Sequence, residues 1–220
     1  MSERPMHVIA IDGPAGAGKS TIAKALAQRL GLQYLDTGAM YRAITFAAMH
    51  RGLDVDDKAA VGALAREVSL DVGRVTVTVD GIDATTAIRR PDVTAAVSSI
   101  ASNSEVRTEL RGRQRAWAEA RGGGVIEGRD IGSVVFPDAT LKLYLTASPR
   151  VRAERRVAEA GGDVDEIERA IAIRDGKDTS RADSPLKEAN NSVTVDTTGM
   201  TIAEVLDEIE QLFENVDERR

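Results

Sequence analysis

The 220-residue sequence contains no cysteine. That excludes disulfides and thiolate metal sites, and it suits a reducing compartment. There are only two histidines, His7 and His50. Neither has sequence neighbours suited to metal binding, so both read as structural. No apolar run approaches the roughly 18 residues a transmembrane helix needs. The opening residues, Met1-Ser2-Glu3-Arg4-Pro5, lead into a first strand without the apolar core of a signal peptide. A cytoplasmic protein with no membrane partner is expected. Positive charge is not in excess either, since the formal net charge is -6. A general nucleic-acid binder is more often basic, so no nucleic-acid partner is expected. Any polyphosphate site must come from local arginine clusters against an acidic background. Hydrophobic residues make up 42% and charged residues 29%, which is ordinary for a soluble globular protein. The length suffices for one good core, or one core with small insertions.

One stretch stands out against these absences. Gly13-Pro14-Ala15-Gly16-Ala17-Gly18-Lys19-Ser20 fits the pattern G-x-x-x-x-G-K-[ST] at every defined position. The apolar run His7-Val8-Ile9-Ala10-Ile11 precedes it and reads as a buried strand. A helical run over 21–30 follows and stops at Gly31. Glycines let the backbone curl so that successive N–H groups point at phosphate oxygens. The start of the following helix adds roughly half an elementary positive charge. Lys19 is then expected on the β- and γ-phosphates, and the Ser20 hydroxyl on Mg²⁺. The bland alternative is a glycine-rich turn with one surface lysine. Four fixed residue types in the right order, between a strand and a helix, weigh against it. The expected donor-nucleotide site is Gly13, Pro14, Ala15, Gly16, Ala17, Gly18, Lys19, Ser20 and Thr21.

Farther along, residues 32–35 read as a second strand ending at Asp36; the segment 36–42 follows, and a helix then runs to about Arg51, with Gly52 as its stop. Asp56 or Asp57 caps a helix through Val68. Val75-Thr76-Val77-Thr78-Val79 alternates as a half-buried strand does, and Asp80-Gly81 is a type I′ hairpin signal. Pro91 opens a helix to about Ala101, and Ser104 caps a longer one that the glycines at 122–124 end. Residues 125–127 form a third core strand running into Gly128-Arg129-Asp130, and residues 141–145 a fourth. Ser148-Pro149 starts a helix rich in arginine, and a further helix spans 164–175. A polar stretch follows over 176–191. Residues 192–195 form the fifth strand, and Thr201 with Glu204 makes a capping box for the last helix. Strands alternating with helices predict an α/β fold with a mostly parallel, doubly wound sheet. Ligands of such sheets bind beyond the carboxyl ends of the strands. The segments after strands one, two and three should therefore meet in one cleft.

The blocks Asp36-Thr37-Gly38-Ala39-Met40-Tyr41-Arg42, Gly128-Arg129-Asp130-Ile131-Gly132 and Val134-Val135-Phe136-Pro137-Asp138-Ala139, together with the loop at 12–20, resemble the bacterial cytidylate kinases. The resemblance runs in the same order from the first strand to the last helix. It implies the P-loop nucleoside monophosphate kinase fold: a five-stranded parallel sheet flanked by helices, a small β insertion near 69–84, and a short lid. The matching division is a core of 1–36, 102–147 and 177–220, a monophosphate-binding region of 37–101, and a lid of 148–176. The implied reaction moves the γ-phosphoryl group of ATP to CMP or dCMP, with Mg²⁺, in a monomer.

Carried over residue by residue, the resemblance implies acceptor contacts at Thr37, Tyr41, Arg42, Ser98, Arg107, Arg129, Asp130, Arg174 and Arg181. Arginine suits phosphate because its planar fork keeps its charge and matches the oxygens in pairs. Arg42, Arg129 and Arg174 are expected on the acceptor phosphate or the transferring group. Asp130 and Arg181 are expected at the sugar, Ser98 and Arg107 at the polar edge of cytosine, and Tyr41 packs on the nucleotide. Without the resemblance, Ser98 and Arg107 read as surface positions and Tyr41 as core. Arg150, Arg152, Arg155 and Arg156 form either a solvated helix face or a lid over the ATP phosphates, with Arg152 and Arg155 taken as catalytic beside Lys19, Arg129 and Arg174. Glu127 and Asp36 are alternative supports for Mg²⁺ through water, and Glu127 also suits a pairing with Lys19 or Arg129. Rival readings are a kinase of the same fold with a UMP, AMP, shikimate or gluconate acceptor, a regulatory GTPase, or a non-catalytic ATP-binding module. The guanine-reading N-K-x-D pattern is absent, which weighs against the GTPase.

Overall fold

The computed structural model describes residues 6–217. Residues 1–5, read above for a leader, lie outside the described residues. The chain divides into two compact units, Met1–Tyr34 with Ala118–Arg220, and Leu35–Trp117.

The first unit is built on β1 (His7–Asp12), which is followed by α1 (Lys19–Arg29). β1 is apolar on both faces because it is central. It pairs in parallel with β6 (Gly123–Glu127) on one side and β7 (Leu141–Thr146) on the other. With β2 (Tyr34–Asp36) and β8 (Val193–Asp196) the sheet has the order β2-β6-β1-β7-β8. Ile9 lies opposite Val125 and Leu141, and Ile11 opposite Glu127 and Leu143. The register brings the carboxyl ends of β1 and β6 level, so the segments that follow them leave the same edge of the sheet.

The core of this unit joins Ile9, Ile11, Val125, Leu143 and Leu145 of the sheet to Ile22 and Leu26 of α1 and Val205, Leu206 and Ile209 of α8 (Ile202–Asp217). Removing a Leu or Ile side chain of this kind from water is worth about 1.5–3 kcal/mol each. Thr201 and Glu204 exchange hydrogen bonds at the start of α8, as a capping box requires. Two arginine-bearing helices follow β7, α6 (Pro149–Ala160) and α7 (Val164–Thr179). Ser148 caps α6 through the Val151 amide.

In this unit two glycine-marked boundaries differ from expectation. Gly123 and Gly124 belong to β6 rather than ending the preceding helix. A Cβ on Gly123 would stand 2.1 Å from the His7 carbonyl oxygen, so only glycine fits where β1 approaches. α7 continues past Gly176 to Thr179, four residues beyond the expected end. A π-helical turn at Ile131–Val135 has no counterpart in the sequence reading.

The second unit carries α2 (Thr37–His50), capped by Asp36, and α3 (Lys58–Glu67), capped by Asp57. A three-stranded antiparallel sheet of β3 (Leu70–Val72), β4 (Val77–Val79) and β5 (Ile82–Asp83) packs on α2. Asp80 and Gly81 both have positive φ, 50° and 79°, as the hairpin signal demands. The strand begins at Val77, not Val75, because Gly73 donates to the Thr76 carbonyl and turns the chain there. α4 (Pro91–Ala101) and α5 (Ser104–Glu119) complete the unit. Asn103, not Ser104, caps α5, accepting from the Glu105 amide at 3.0 Å. Among the described residues no helix is long and apolar enough to cross a membrane.

Candidate active site

The turn between β1 and α1 has the shape its glycines permit. Gly13 stands at φ 146°, and a Cβ there would meet the Leu145 carbonyl oxygen at 2.0 Å. Gly18 is the N-cap of α1, so Lys19, Ser20 and Thr21 open the helix with amide groups that no preceding turn occupies. Lys19 is buried and donates to the Pro14 carbonyl at 2.7 Å, closing the loop across itself.

The surroundings of Lys19 are unusual. Burial and then the nearby guanidinium groups of Arg129 and Arg174 push its pKa from 10.5 down to about 7, against the pull of Glu127 and Asp12. Burial, and then Arg129, also lowers the pKa of Arg174. The Nε of Arg174 is buried with no hydrogen-bond partner among the described residues. Three cations thus crowd together with mutual repulsion. That arrangement is costly when empty and relieved by a polyanion.

Two carboxylates organise this cluster, and a third braces it. Glu127 ends β6 and accepts from Ser20 Oγ at 3.0 Å and from the Tyr34 hydroxyl. It therefore sits with the serine expected to ligate Mg²⁺, and takes no hydrogen bond from Lys19. Asp12 ends β1 and accepts from the amides of Ile131 and Gly132, each at 2.8 Å. Burial raises the Asp12 carboxyl from 3.8 to about 6, despite the two amides and Lys19. Asp178, near the end of α7, accepts from Arg129 Nε at 2.9 Å and lies 3.6 Å from Arg181.

The arginines of α6 divide. Arg150 is exposed and pairs with Asp165 and Glu168 of α7, and the half-buried Arg156 pairs with Glu159, as a partly solvated face does. Arg152 is buried; it donates to the carbonyls of Ala147 and Ala15 and to Asp175. Arg155 donates to Thr197 and has its guanidinium 3.5 Å from where a Gly18 Cβ would stand. Asp130 is buried just before the π-helical turn. The first unit thus gathers the loop, Lys19, Arg129, Arg174, Arg181 and the inward arginines of α6.

The remaining expected contacts lie in the second unit. Thr37 is buried at the first position of α2. The Arg107 guanidinium lies over the Tyr41 ring at 5.5 Å and donates to the Ala101 carbonyl. Arg107 is 1% exposed, so the surface position its helix alone suggested is corrected: the tyrosine face and the helix carbonyl receive it. Arg42 donates to Thr94 Oγ1 at 2.8 Å and to the Ile88 carbonyl. Ser98 is half-buried on α4. Asp36 caps α2 and lies 3.6 Å from Arg89.

Asp12, Asp175 and Asp178 went unassigned in the sequence. No spacing signal marked them: Asp178 lies within α7, but Arg181, three positions on, lies beyond the helix end at Thr179.

The sequence profile of the cytidylate kinase family matches residues 9–215. A cytidylate kinase of Streptomyces avermitilis is 46% identical over 216 residues, covering 96% of this chain and 94% of its own. A bifunctional pantoate ligase/cytidylate kinase of Prochlorococcus marinus is 45% identical and covers 97% of this chain, which spans only 44% of that longer protein. Among solved structures, a gluconokinase from Sinorhizobium meliloti superposes with a TM-score of 0.52 at 15% identity, over 98% of this chain and 99% of that one. At that identity the likeness concerns the fold.

Proposed function

Since the chain belongs to the cytidylate kinase family, we propose that it transfers the γ-phosphoryl group of ATP to CMP or dCMP, giving ADP and CDP or dCDP. The observation that carries this reading is the crowd of cations around Lys19. Lys19, Arg129 and Arg174 repel one another in a buried setting, and a polyphosphate is the ligand that relieves them.

In this reading the donor lies on Gly13, Pro14, Ala15, Gly16, Ala17, Gly18, Lys19, Ser20 and Thr21. Thr37, Tyr41, Arg42, Ser98, Arg107, Arg129, Asp130, Arg174 and Arg181 hold the acceptor. Residues 37–101 serve monophosphate binding, residues 148–176 act as the lid, and the remainder is the core. Arg129 and Arg174 neutralise charge spreading over the transferred group, supported from the lid by Arg155 and Arg152. The acceptor is a phosphate oxygen that is already anionic, so no strong general base is needed. Closure of the lid keeps water from taking the phosphoryl group instead.

The Ser20 hydroxyl and the Glu127 carboxylate, 3.0 Å apart, are the hard oxygen donors that Mg²⁺ prefers. Among the described residues no three acids or histidines gather into a metal cage. A metal held by these residues would offset the charge of the donor phosphates. We assign the protein to the cytoplasm as a monomer; size-exclusion chromatography of the purified chain tests the monomer.

The deciding assay couples ADP formation to a reporter and compares CMP, dCMP, UMP, AMP, dTMP, shikimate and gluconate as acceptors with ATP and Mg²⁺. CMP or dCMP should give the highest kcat/KM. A preference for any other acceptor, or ATP consumption that ignores the acceptor, overturns the reading.

A further inference from the structure

The loop carries backbone amides that a phosphate would attract, yet the amide of Ala15 is already taken. It donates to Asp175 Oδ1 at 3.0 Å. The other oxygen of Asp175 accepts from Arg152 Nη1 at 2.5 Å, and that same nitrogen donates to the Ala15 carbonyl at 3.0 Å. A single ion pair, one partner on α6 and one on α7, thus holds both polar groups of residue 15. The two side chains are only 10% and 17% exposed, and every bond is charge-assisted, so this is not a solvated surface pair.

α7 runs along α6, whose Arg150 pairs with Asp165 and Glu168 in the first half of α7. Ile171 is the one buried apolar residue of α7 among those described, and Ile173 is 63% exposed. Toward the C-terminal end of α7 the polar anchors are Asp175 on the loop and Asp178 on Arg129. Arg174 lies between Ile171 and these anchors and immediately precedes Asp175. Its Nε has no hydrogen-bond partner among the described residues; Arg129 repels it, while Asp178 and Asp175 attract it. No hydrogen bond at Nε fixes it beside Lys19 and Arg129, so its place depends on the helix that carries it.

We infer that Asp175 is a positioning residue, whose carboxylate fastens α7 to the Ala15 peptide of the phosphate loop and thereby aims Arg174 at the transferred phosphoryl group. The inference rests on the kinase reading above. It assigns Arg152 a share in the same fastening, as the partner that orients the Asp175 carboxylate. No bond to substrate is required of Asp175.

The test uses the full chain and four variants: Asp175→Asn, Asp175→Ala, Arg174→Ala and the double variant Asp175→Asn with Arg174→Ala. With ATP, Mg²⁺ and CMP, Asp175→Asn should lower kcat roughly ten- to a hundredfold, the scale of a misplaced catalytic group. KM for CMP should change by a smaller factor than kcat, because Arg174 is only one of several groups on the acceptor while its aim at the transferred group is lost. In the Arg174→Ala background the same change should cost less than about twofold, because nothing remains to be aimed. A kcat within twofold of the parent for Asp175→Asn, or an equal loss in both backgrounds, overturns the inference. Amide hydrogen exchange of the nucleotide-free protein gives a readout that needs no turnover. Asp175→Ala should speed exchange at Ala15 by roughly five- to tenfold, the worth of one such bond, with Ile9 in the core unchanged. Unchanged exchange at Ala15 would sink the fastening itself. A parent enzyme that ignores CMP would sink the kinase reading instead, while the exchange measurement would still decide the Ala15 contact.

Discussion

Asp12→Asn separates two effects that nearly cancel at neutral pH. In the folded chain both Asp12 oxygens accept amides, from Ile131 and Gly132 at 2.8 Å. Burial outweighs them and lifts the carboxyl from 3.8 to about 6. At 1.36 kcal/mol per pH decade, that gap means the ionised carboxylate costs the folded chain about 3 kcal/mol at pH 7. Between 3.8 and about 6 the folded chain keeps a proton that the unfolded chain has released. Stability from this group therefore falls as pH rises through that window, and is level above it. Asparagine avoids the charge but offers one acceptor to two amides, leaving buried donors facing each other at a cost of about 1–3 kcal/mol. At pH 7 the variant should lie within about 2 kcal/mol of the parent, the difference between those two estimates. Urea unfolding of both proteins at several pH values removes the common carboxylates by subtraction. The stability of the parent minus that of the variant should drop by about 2 kcal/mol between about pH 4.5 and pH 7. A difference that stays flat would refute the assignment of a buried, high-pKa carboxylate. Because the amides of 131 and 132 follow Arg129 and Asp130 directly, kcat of the variant should also fall, by roughly tenfold.

Arg129→Ala should lower kcat by about two to three orders of magnitude, the usual cost of losing a donor that meets developing charge, with an unchanged circular dichroism spectrum; a near-normal kcat sinks its role. Ser98→Ala and Arg107→Met should raise KM for CMP more than KM for ATP, and equal effects on both substrates in steady-state kinetics would count against base reading. Gly13→Ala forces a Cβ to 2.0 Å from the Leu145 carbonyl oxygen and strains a φ of 146°, so it should cost more than about 2 kcal/mol in thermal or urea unfolding and weaken ATP binding measured by titration. Wild-type stability in that variant would show that the loop has room to move.

What the sequence makes legible here is local. The loop at 13–20 could be read because glycine freedom, a helix start and one lysine act within eight positions, and the hairpin at Asp80-Gly81 could be read for the same reason. Glycine misled where distant groups decide its effect. At Gly123 the His7 strand approaches so closely that a residue normally read as a stop is required inside β6. At Gly176 the intrinsic cost of about 1 kcal/mol in a helix is outweighed by the anchors on either side of it, Asp175 on the loop and Asp178 on Arg129. The cations could be listed from sequence because arginine next to a strand end is itself informative, as at Arg129. The acids that brace the site could not. Asp12 finds its partners 119 and 120 positions away, Asp175 finds Ala15 at 160, and Asp178 finds Arg129 at 49. No period or motif links positions at such distances; the sheet register that levels β1 with β6 is what brings Asp12 to the π-helical turn. Sequence thus names the groups proposed to meet phosphate, while the fold places the carboxylates beside them, so on the proposed reading variants of those carboxylates should alter kcat more than they alter what the enzyme binds.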